Sequence, residues 1–287
     1  MKAGGSARRT YIRSTVERLL VRTWNLFHGN TQPPGRKAFL AEMVRLASDD
    51  RPDLLCLQEV PVWALGRLGD WGGMTAVTDV AQPPRIGPVP SNAELGRVLT
   101  DVHHGLLRSA FSGQANAILL QAGLRVAEHR RLPLNPFTFR RSQARRLGLG
   151  LVPRLAWAKE RRVCQAIRVE GERGTFVVAN LHVTSYPPDK RLADAELLRA
   201  AVFVDGFAKP DEPVLLCGDF NVSVRTSKTL RDLATQEWGF SGASPIGIDH
   251  ILVRGLAAGD PERWEPDRRL HDGRLLSDHA VLEVSVG

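Results

Sequence analysis

At six places in the sequence a carboxylate, an imidazole or an amide stands where an apolar run begins or ends. Asn25 follows Arg22-Thr23-Trp24, Glu59 follows Leu54-Leu55-Cys56-Leu57-Gln58, and His182 follows Val177-Val178-Ala179-Asn180-Leu181. Asp219 and Asn221 follow Leu215-Leu216-Cys217-Gly218, Asp249-His250 opens Ile251-Leu252-Val253, and Asp278-His279 precedes the last apolar run. Carboxylates are hard oxygen ligands of the kind magnesium takes, and imidazoles move protons near neutral pH. Each residue alone has a plainer reading: Asp or Asn after a strand is commonly a turn residue, and Glu59 suits the start of a helix near Pro61. The six together suggest one site, because loops at strand ends converge while the strands hold them rigid.

The elements that must position these residues are legible as alternating short apolar runs and longer amphipathic ones, the pattern of an α/β protein. Strands are expected at 19–24, 54–57, 74–78, 117–120, 163–169, 175–181, 214–217, 248–253 and 280–286; in the last, Ala280, Leu282, Val284 and Val286 share one face. A helix is expected over 35–50, with Phe39, Leu40, Met43, Val44 and Ala47 inward, and another whose face is Leu192, Ala195, Leu198 and Val202. Residues 81–91 hold Pro83, Pro84, Pro88 and Pro90 and predict a surface loop.

With 287 residues, 43% apolar and 24% charged, the chain is globular with a sizeable core, which excludes wholesale disorder, a collagen-like repeat and a coiled-coil rod. Cys56, Cys164 and Cys217 each sit in an apolar run and form no C-x-x-C or Cys/His cluster, so neither a zinc finger nor a disulfide scaffold fits, and reduced, buried thiols are expected. Arg8-Arg9 is not followed by an apolar stretch, and Leu19-Leu20-Val21 is flanked by Arg18 and Arg22. The expectation is a cytoplasmic protein without a transmembrane segment, with a disordered basic tail over 1–17 and a single domain over 18–287.

In order, Trp24-Asn25, Gln58-Glu59, Asn180-Leu181-His182, Gly218-Asp219-Phe220-Asn221, Ile248-Asp249-His250-Ile251 and Ser277-Asp278-His279 resemble the motif series of the endonuclease/exonuclease/phosphatase superfamily, over about residues 19–287. The resemblance implies a four-layer α/β/β/α sandwich, two mainly antiparallel β-sheets packed face to face with helices outside, and magnesium-assisted cleavage of phosphate esters, with manganese as a substitute. That reaction needs a cation on the non-bridging oxygens, an in-line water and help for the departing oxygen. By the resemblance, Glu59 is the principal metal ligand and Asp278 completes the shell, while Asn25 supplies a carbonyl to the metal or an amide to the phosphate. Asp219 positions or deprotonates water, Asn221 holds a phosphate oxygen while Phe220 points into the core, and His279 pairs with Asp249. His182 contacts the phosphate and can protonate a leaving group, though no acidic partner for it is evident. His250 is taken as structural. Phe27 stands where many relatives carry a polar residue, with His28 as a possible replacement, and Gly113-Gln114-Ala115-Asn116 is similar to an element that brings Asn116 near the substrate.

Residues 130–162 hold ten Arg or Lys against the single acid Glu160, a local charge of +9 in a chain of net charge +8. Phe137, Phe139 and Trp157 lie among the arginines, and basic side chains with aromatic platforms hold single-stranded nucleic acid. The expected role is a basic insertion, an inserted loop at one end of the sandwich, with Arg140, Arg141, Arg145 and Arg146 as substrate-binding residues. The first functional expectation is a metal-dependent phosphodiester hydrolase, a nuclease acting on DNA or RNA. The alternatives are a phosphatase or phospholipase C-type hydrolase of a small molecule or lipid headgroup, in which the same segment meets an anionic lipid surface, and a non-catalytic nucleic-acid-binding module.

Overall fold

Most central strands are buried on both faces, as they must be when each sheet lies between a second sheet and a helical layer. The computed structural model describes residues 18–287 apart from 36, 87–88, 103–110, 160 and 173, so the tail expected over 1–17 lies outside the described residues. The principal strands are β1 (Leu19–Asn25), β2 (Leu54–Val60), β3 (Thr75–Gln82), β4 (Gln114–Leu120), β5 (Arg125–Pro133), β6 (Val163–Gly171), β7 (Gly174–His182), β8 (Val214–Asp219), β9 (Asp249–Arg254), β10 (Glu262–Arg263) and β11 (Leu282–Val286). They form one sheet in the order β10-β11-β1-β2-β4-β3 and a second in the order β9-β8-β7-β6-β5. Only β1/β2 and β7/β8 pair in parallel; the other neighbours are antiparallel.

Three apolar layers result. Helix α1 (Leu40–Ser48) buries Leu40, Met43, Val44 and Ala47 with Trp24, Leu55, Leu57 and Leu119 of the first sheet. Between the sheets lie Val21, Leu54, Cys56, Ile118 and Leu120 from one side and Ile167, Val178, Leu215, Cys217 and Ile251 from the other. On the far side α4 (Arg191–Phe207) packs Leu197, Ala200, Ala201 and Val204 with Val177, Ala179, Leu181 and Leu216. This is the expected four-layer sandwich, and Cys56, Cys164 and Cys217 are free and buried.

The layer between the sheets explains why a polar site forms at one end. Taken at every second residue, the side chains facing the partner sheet change from apolar to amide or hydroxyl to site residue: Val21-Thr23-Asn25 and Val178-Asn180-His182 in two strands, and Leu120-Ile118-Asn116-Gln114 in an antiparallel one. The middle rank stitches the sheets together. Gln58 Nε2 donates to Thr23 Oγ1 at 2.9 Å and to Asn180 Oδ1 at 2.8 Å, while Asn180 Nδ2 donates to the carbonyls of Leu57 and Ala117, each at 2.9 Å. Hydrogen bonds in a low-dielectric interior are strengthened and rigidify what they join. The last rank is held in register, His182 opposite Asp219 and Asp219 opposite Asp249 on adjacent strands.

Three expectations need correction. The helix around Leu192 forms, but it buries Leu192, Ala193, Glu196, Leu197 and Ala200, leaving Leu198 and Val202 exposed; small alanines let its other face approach the sheet. Residues 81–91 are not all loop, since β3 runs to Gln82 and the pairs Arg85–Ile86 and Val89–Pro90 make a short two-stranded ladder, where an edge tolerates proline. The basic insertion is not an irregular loop. Arg130 and Arg131 belong to β5, and two helices follow, α2 (Phe137–Arg146) and α3 (Leu151–Lys159).

Candidate active site

Strict strand alternation would turn Glu59 away from the pocket, because Leu54, Cys56 and Gln58 are the β2 residues that face the second sheet. The pairing of β2 with β4 shifts register between Leu57 and Val60, and Glu59 sits in the left-handed region at φ 53°. Bulges re-aim side chains in this way. The Glu59 carboxylate is thereby brought to 3.8 Å from His182 Nε2 and 3.4 Å from His28 Nε2. Non-glycine residues with positive φ gather at this end of the molecule: Phe27, His28, Glu59, Asn221 and Ser277. Such conformations persist only where the surroundings over-determine them.

Asp219 is central and almost wholly buried. One carboxylate oxygen accepts from Asn25 Nδ2 at 3.0 Å and the other from the Asn221 backbone N–H at 2.9 Å, so its orientation is fixed before any ligand arrives. The preceding Gly218 is required by a close approach: at φ 138°, a Cβ there would lie 1.9 Å from the Leu181 carbonyl of β7. Asn221 Nδ2 donates to Val183 O at 3.1 Å, and Phe220 is buried in the outer core, as expected. His250 spends its ring on Ser244 N and Val222 O, a structural role.

The Ser277-Asp278-His279 segment is pinned from both sides. Ser277 Oγ donates to the Asn25 carbonyl at 2.7 Å, Trp24 Nε1 donates to His279 O at 2.9 Å, and Arg269 Nη1 donates to His279 O at 2.7 Å. His279 Nδ1 then meets Asp249 at 2.9 and 3.1 Å, and its Nε2 lies 3.7 Å from Asp219 Oδ2.

The two imidazoles sit in opposite electrostatic settings. Burial disfavours charge on His279, but the Asp249 hydrogen bond and the charges of Asp249, Asp219 and Asp278 outweigh it and push the ring up to about 10, so it is an imidazolium at neutral pH. Burial also dominates at His182, where nearby Arg162, His279 and His28 add to it and hold the ring well below the usual histidine range. His182 Nδ1 lies 2.8 Å from Arg162 Nη1 and 3.1 Å from Gln114 Nε2, and its Nε2 lies 3.4 Å from Asp219 Oδ2. Asp219 is raised to about 6, mainly by burial and further by Asp249, with His279 and Asn25 pulling the other way.

The structure therefore brings together Asn25, Glu59, His182, Asp219, Asn221, Asp249 and His279. Asp278 is exposed at the rim, where its charge reaches His279. Asn116 is inside β4 with its amide donating to Val163 O at 3.1 Å. Two residues that sequence reasoning did not single out also belong to the site, Arg162 and Gln114. The only signal for Arg162 was the tight β6/β7 hairpin, whose register sets Leu181 opposite Cys164 and so brings Arg162 alongside His182.

For a divalent cation the carboxylates supply the donor chemistry: Asp219 and Asp249 offer oxygens within 4.8 Å of each other and of a His279 ring nitrogen, and Glu59 adds a carboxylate that, like Asp219, faces His182 Nε2. Beside the pocket stand the two insertion helices. Asn135 at their root donates to Thr184 Oγ1 and accepts from Arg162 N, and buried Glu196 accepts from Trp157 of α3 and from Thr184. A cavity of about 380 Å³ lies between the helices, walled by Phe137, Arg140, Arg141, Arg145, Arg154 and Trp157. Among the described residues no ion pair involves those four arginines or Arg146. No described helix is long and apolar enough to cross a membrane.

The chain matches the Endonuclease/Exonuclease/phosphatase family over residues 23–279. Among curated proteins none matches it. Solved structures share the fold at low identity. The catalytic domain of human Nocturnin with bound sulfate is 19% identical, TM-score 0.61, covering 94% of this chain and 93% of that one. A protein of unknown function from Enterococcus faecalis V583 is 16% identical, TM-score 0.63, covering 94% and 99%. A humanized D. rerio TDP2 is 13% identical, TM-score 0.60, covering 94% and 99%.

Proposed function

Since the chain belongs to the endonuclease/exonuclease/phosphatase family, we propose that it is a magnesium-dependent phosphodiester hydrolase acting on nucleic acid. One observation carries this reading: His182, Asp219 and Asp249 stand in one register across three strands, with Glu59, Asn25 and His279 closing around them. Glu59 would hold a magnesium ion, with the Asn25 side-chain oxygen and Asp278 completing its shell, and manganese would be a substitute. When bound, the ion draws charge from the non-bridging oxygens and acidifies water. Asp219, oriented by Asn25 and Asn221, takes the proton of the in-line water; a carboxylate raised to about 6 suits a base working near neutrality. His279, kept cationic by Asp249, faces the charge that builds on the phosphorus oxygens, and Asn221 and His182 hold those oxygens. Arg140, Arg141, Arg145 and Arg146 receive the flanking phosphates.

A second reading, a lipid phosphodiester as substrate, is favoured by the exposed Phe137, Leu151, Val152 and Leu155 on the arginine-bearing helices. One panel with magnesium separates the two: single- and double-stranded DNA, RNA, an abasic duplex, sphingomyelin vesicles and an inositol polyphosphate. Cleavage of a nucleic acid, abolished by EDTA and restored by magnesium, is the expected result. Glu59→Gln and His279→Ala should each lower turnover by about 10²- to 10⁴-fold with circular dichroism unchanged. Wild-type turnover in Glu59→Gln, or activity indifferent to EDTA, overturns the assignment.

A further inference from the structure

The carboxylates near His182, those of Asp219 and Glu59, face its Nε2; what faces its inner nitrogen, Nδ1, is a guanidinium. We propose that Arg162 is a positioning residue that fixes His182 as the neutral tautomer with its proton on Nε2, so that the ring meets substrate only as a hydrogen-bond donor. The role of that donor toward a phosphate rests on the hydrolase reading, whereas the tautomer does not.

A guanidinium has five N–H donors and no acceptor, so the 2.8 Å approach of Arg162 Nη1 to His182 Nδ1 is a hydrogen bond only if Nδ1 presents its lone pair. Gln114 Nε2, at 3.1 Å, points a second donor at the same nitrogen. The one ring proton must then be on Nε2, the nitrogen facing Asp219 Oδ2 at 3.4 Å and Glu59 Oε1 at 3.8 Å. A second proton, on Nδ1, would set two buried cations against each other.

The arginine is anchored for this task. Its backbone N–H donates to Asn135 Oδ1 at 3.0 Å, and both Arg162 and His182 are almost completely buried. Its charge is felt by the buried carboxylate of Glu196, so the cation does not stand alone in the interior. The pocket thus contains two rings set by opposite partners at the same atom: a carboxylate at Nδ1 makes His279 a cation, and a guanidinium at Nδ1 keeps His182 neutral. Proton transfer falls to Asp219 and His279, and His182 is left to hold a phosphate oxygen.

The test is a long-range proton–nitrogen NMR spectrum of the full chain with ¹⁵N-labelled histidine, in EDTA at neutral pH. The expected pattern for His182, identified by its loss in His182→Gln, is an unprotonated Nδ1 and a protonated Nε2. A proton on Nδ1, or a doubly protonated ring, in the wild-type spectrum overturns the proposal whether or not any variant folds. Arg162→Met should mix the two tautomers, and Arg162→Lys should restore part of the pure pattern. An unmixed pattern in a folded Arg162→Met overturns it equally. With magnesium and bis(p-nitrophenyl) phosphate, Arg162→Met should lower kcat by about 10- to 100-fold, the usual cost of removing an orienting partner. An enzyme that hydrolyses no phosphodiester yet shows the stated tautomer would refute the hydrolase reading and leave the role of Arg162 in setting the ring standing.

Discussion

The candidate active-site pocket and the arginine-bearing helices beside it treat charge in opposite ways. In the pocket each carboxylate has a defined partner: Asp249 with His279, Asp219 with Asn25 and the Asn221 N–H, Glu59 near two imidazoles. On α2 and α3, Arg140, Arg141, Arg145 and Arg154 converge on one cavity, and among the described residues no carboxylate is ion-paired to them. The difference separates two uses of charge. Buried, partnered groups have their proton affinities set by the protein, which is what catalysis needs. Cations at the surface without a carboxylate partner keep their charge available to an anion from outside, which is what binding needs.

The comparison breaks most visibly at Asp249. His279 rises from its ordinary value to about 10 on folding, so the pair contributes stability that is fully present below pH 6.5 and lost as pH rises through 10. Asp249→Asn should therefore cost about 3–5 kcal/mol, the usual result of removing one partner of a buried ion pair. The loss should be largest at pH 6 and shrink towards pH 10, measured by urea unfolding in EDTA. A penalty independent of pH would mean that His279 is not charged in the folded protein.

The same contrast decides what the sequence makes legible. The pocket's strands could be read because strand ends impose a pattern: an apolar run of the right length followed by Asn25, His182 or Asp219 leaves little choice of fold or of face. Glu59 was found by its motif neighbours although its face could not be, since only the bulge at Leu57–Val60 turns it inward. Arg162 was read as one of ten basic residues, because nothing in a charge count distinguishes an arginine aimed at a buried ring from one aimed at solvent. The helices α2 and α3 escaped for a related reason. Their basic residues show weak periodicity, and the apolar contacts that fold them join one helix to the other, Trp157 with Phe139, Ala144 and Leu149, and both to Leu192 of α4. Propensity yields to tertiary contacts of this kind.

A smaller effect sharpens the other half of the comparison. Replacing Arg140, Arg141, Arg145 and Arg154 together by Gln should weaken binding of a single-stranded oligonucleotide. The slope of log affinity against log salt should flatten by about 3, at roughly 0.7 per lost phosphate contact. Fluorescence anisotropy between low and physiological salt reads both quantities. An unchanged slope would assign these cations to solubility alone.

The smallest expected effect concerns the outer face of α3, where Leu151 is 71% and Leu155 61% exposed. Replacing both by Ser removes no buried contact, so unfolding should shift by about 0.5 kcal/mol or less. That near-zero is informative because the inner face of the same helix is sealed, with Trp157 donating to Glu196 beside the strand end that carries His182. If thermal unfolding instead falls by several degrees and the drop depends on protein concentration, the aliphatic face is covered by a second copy of the chain. The unpaired arginines next to it would then be held at an interface between copies, and the division between tuned and waiting charge would no longer describe this end of the molecule.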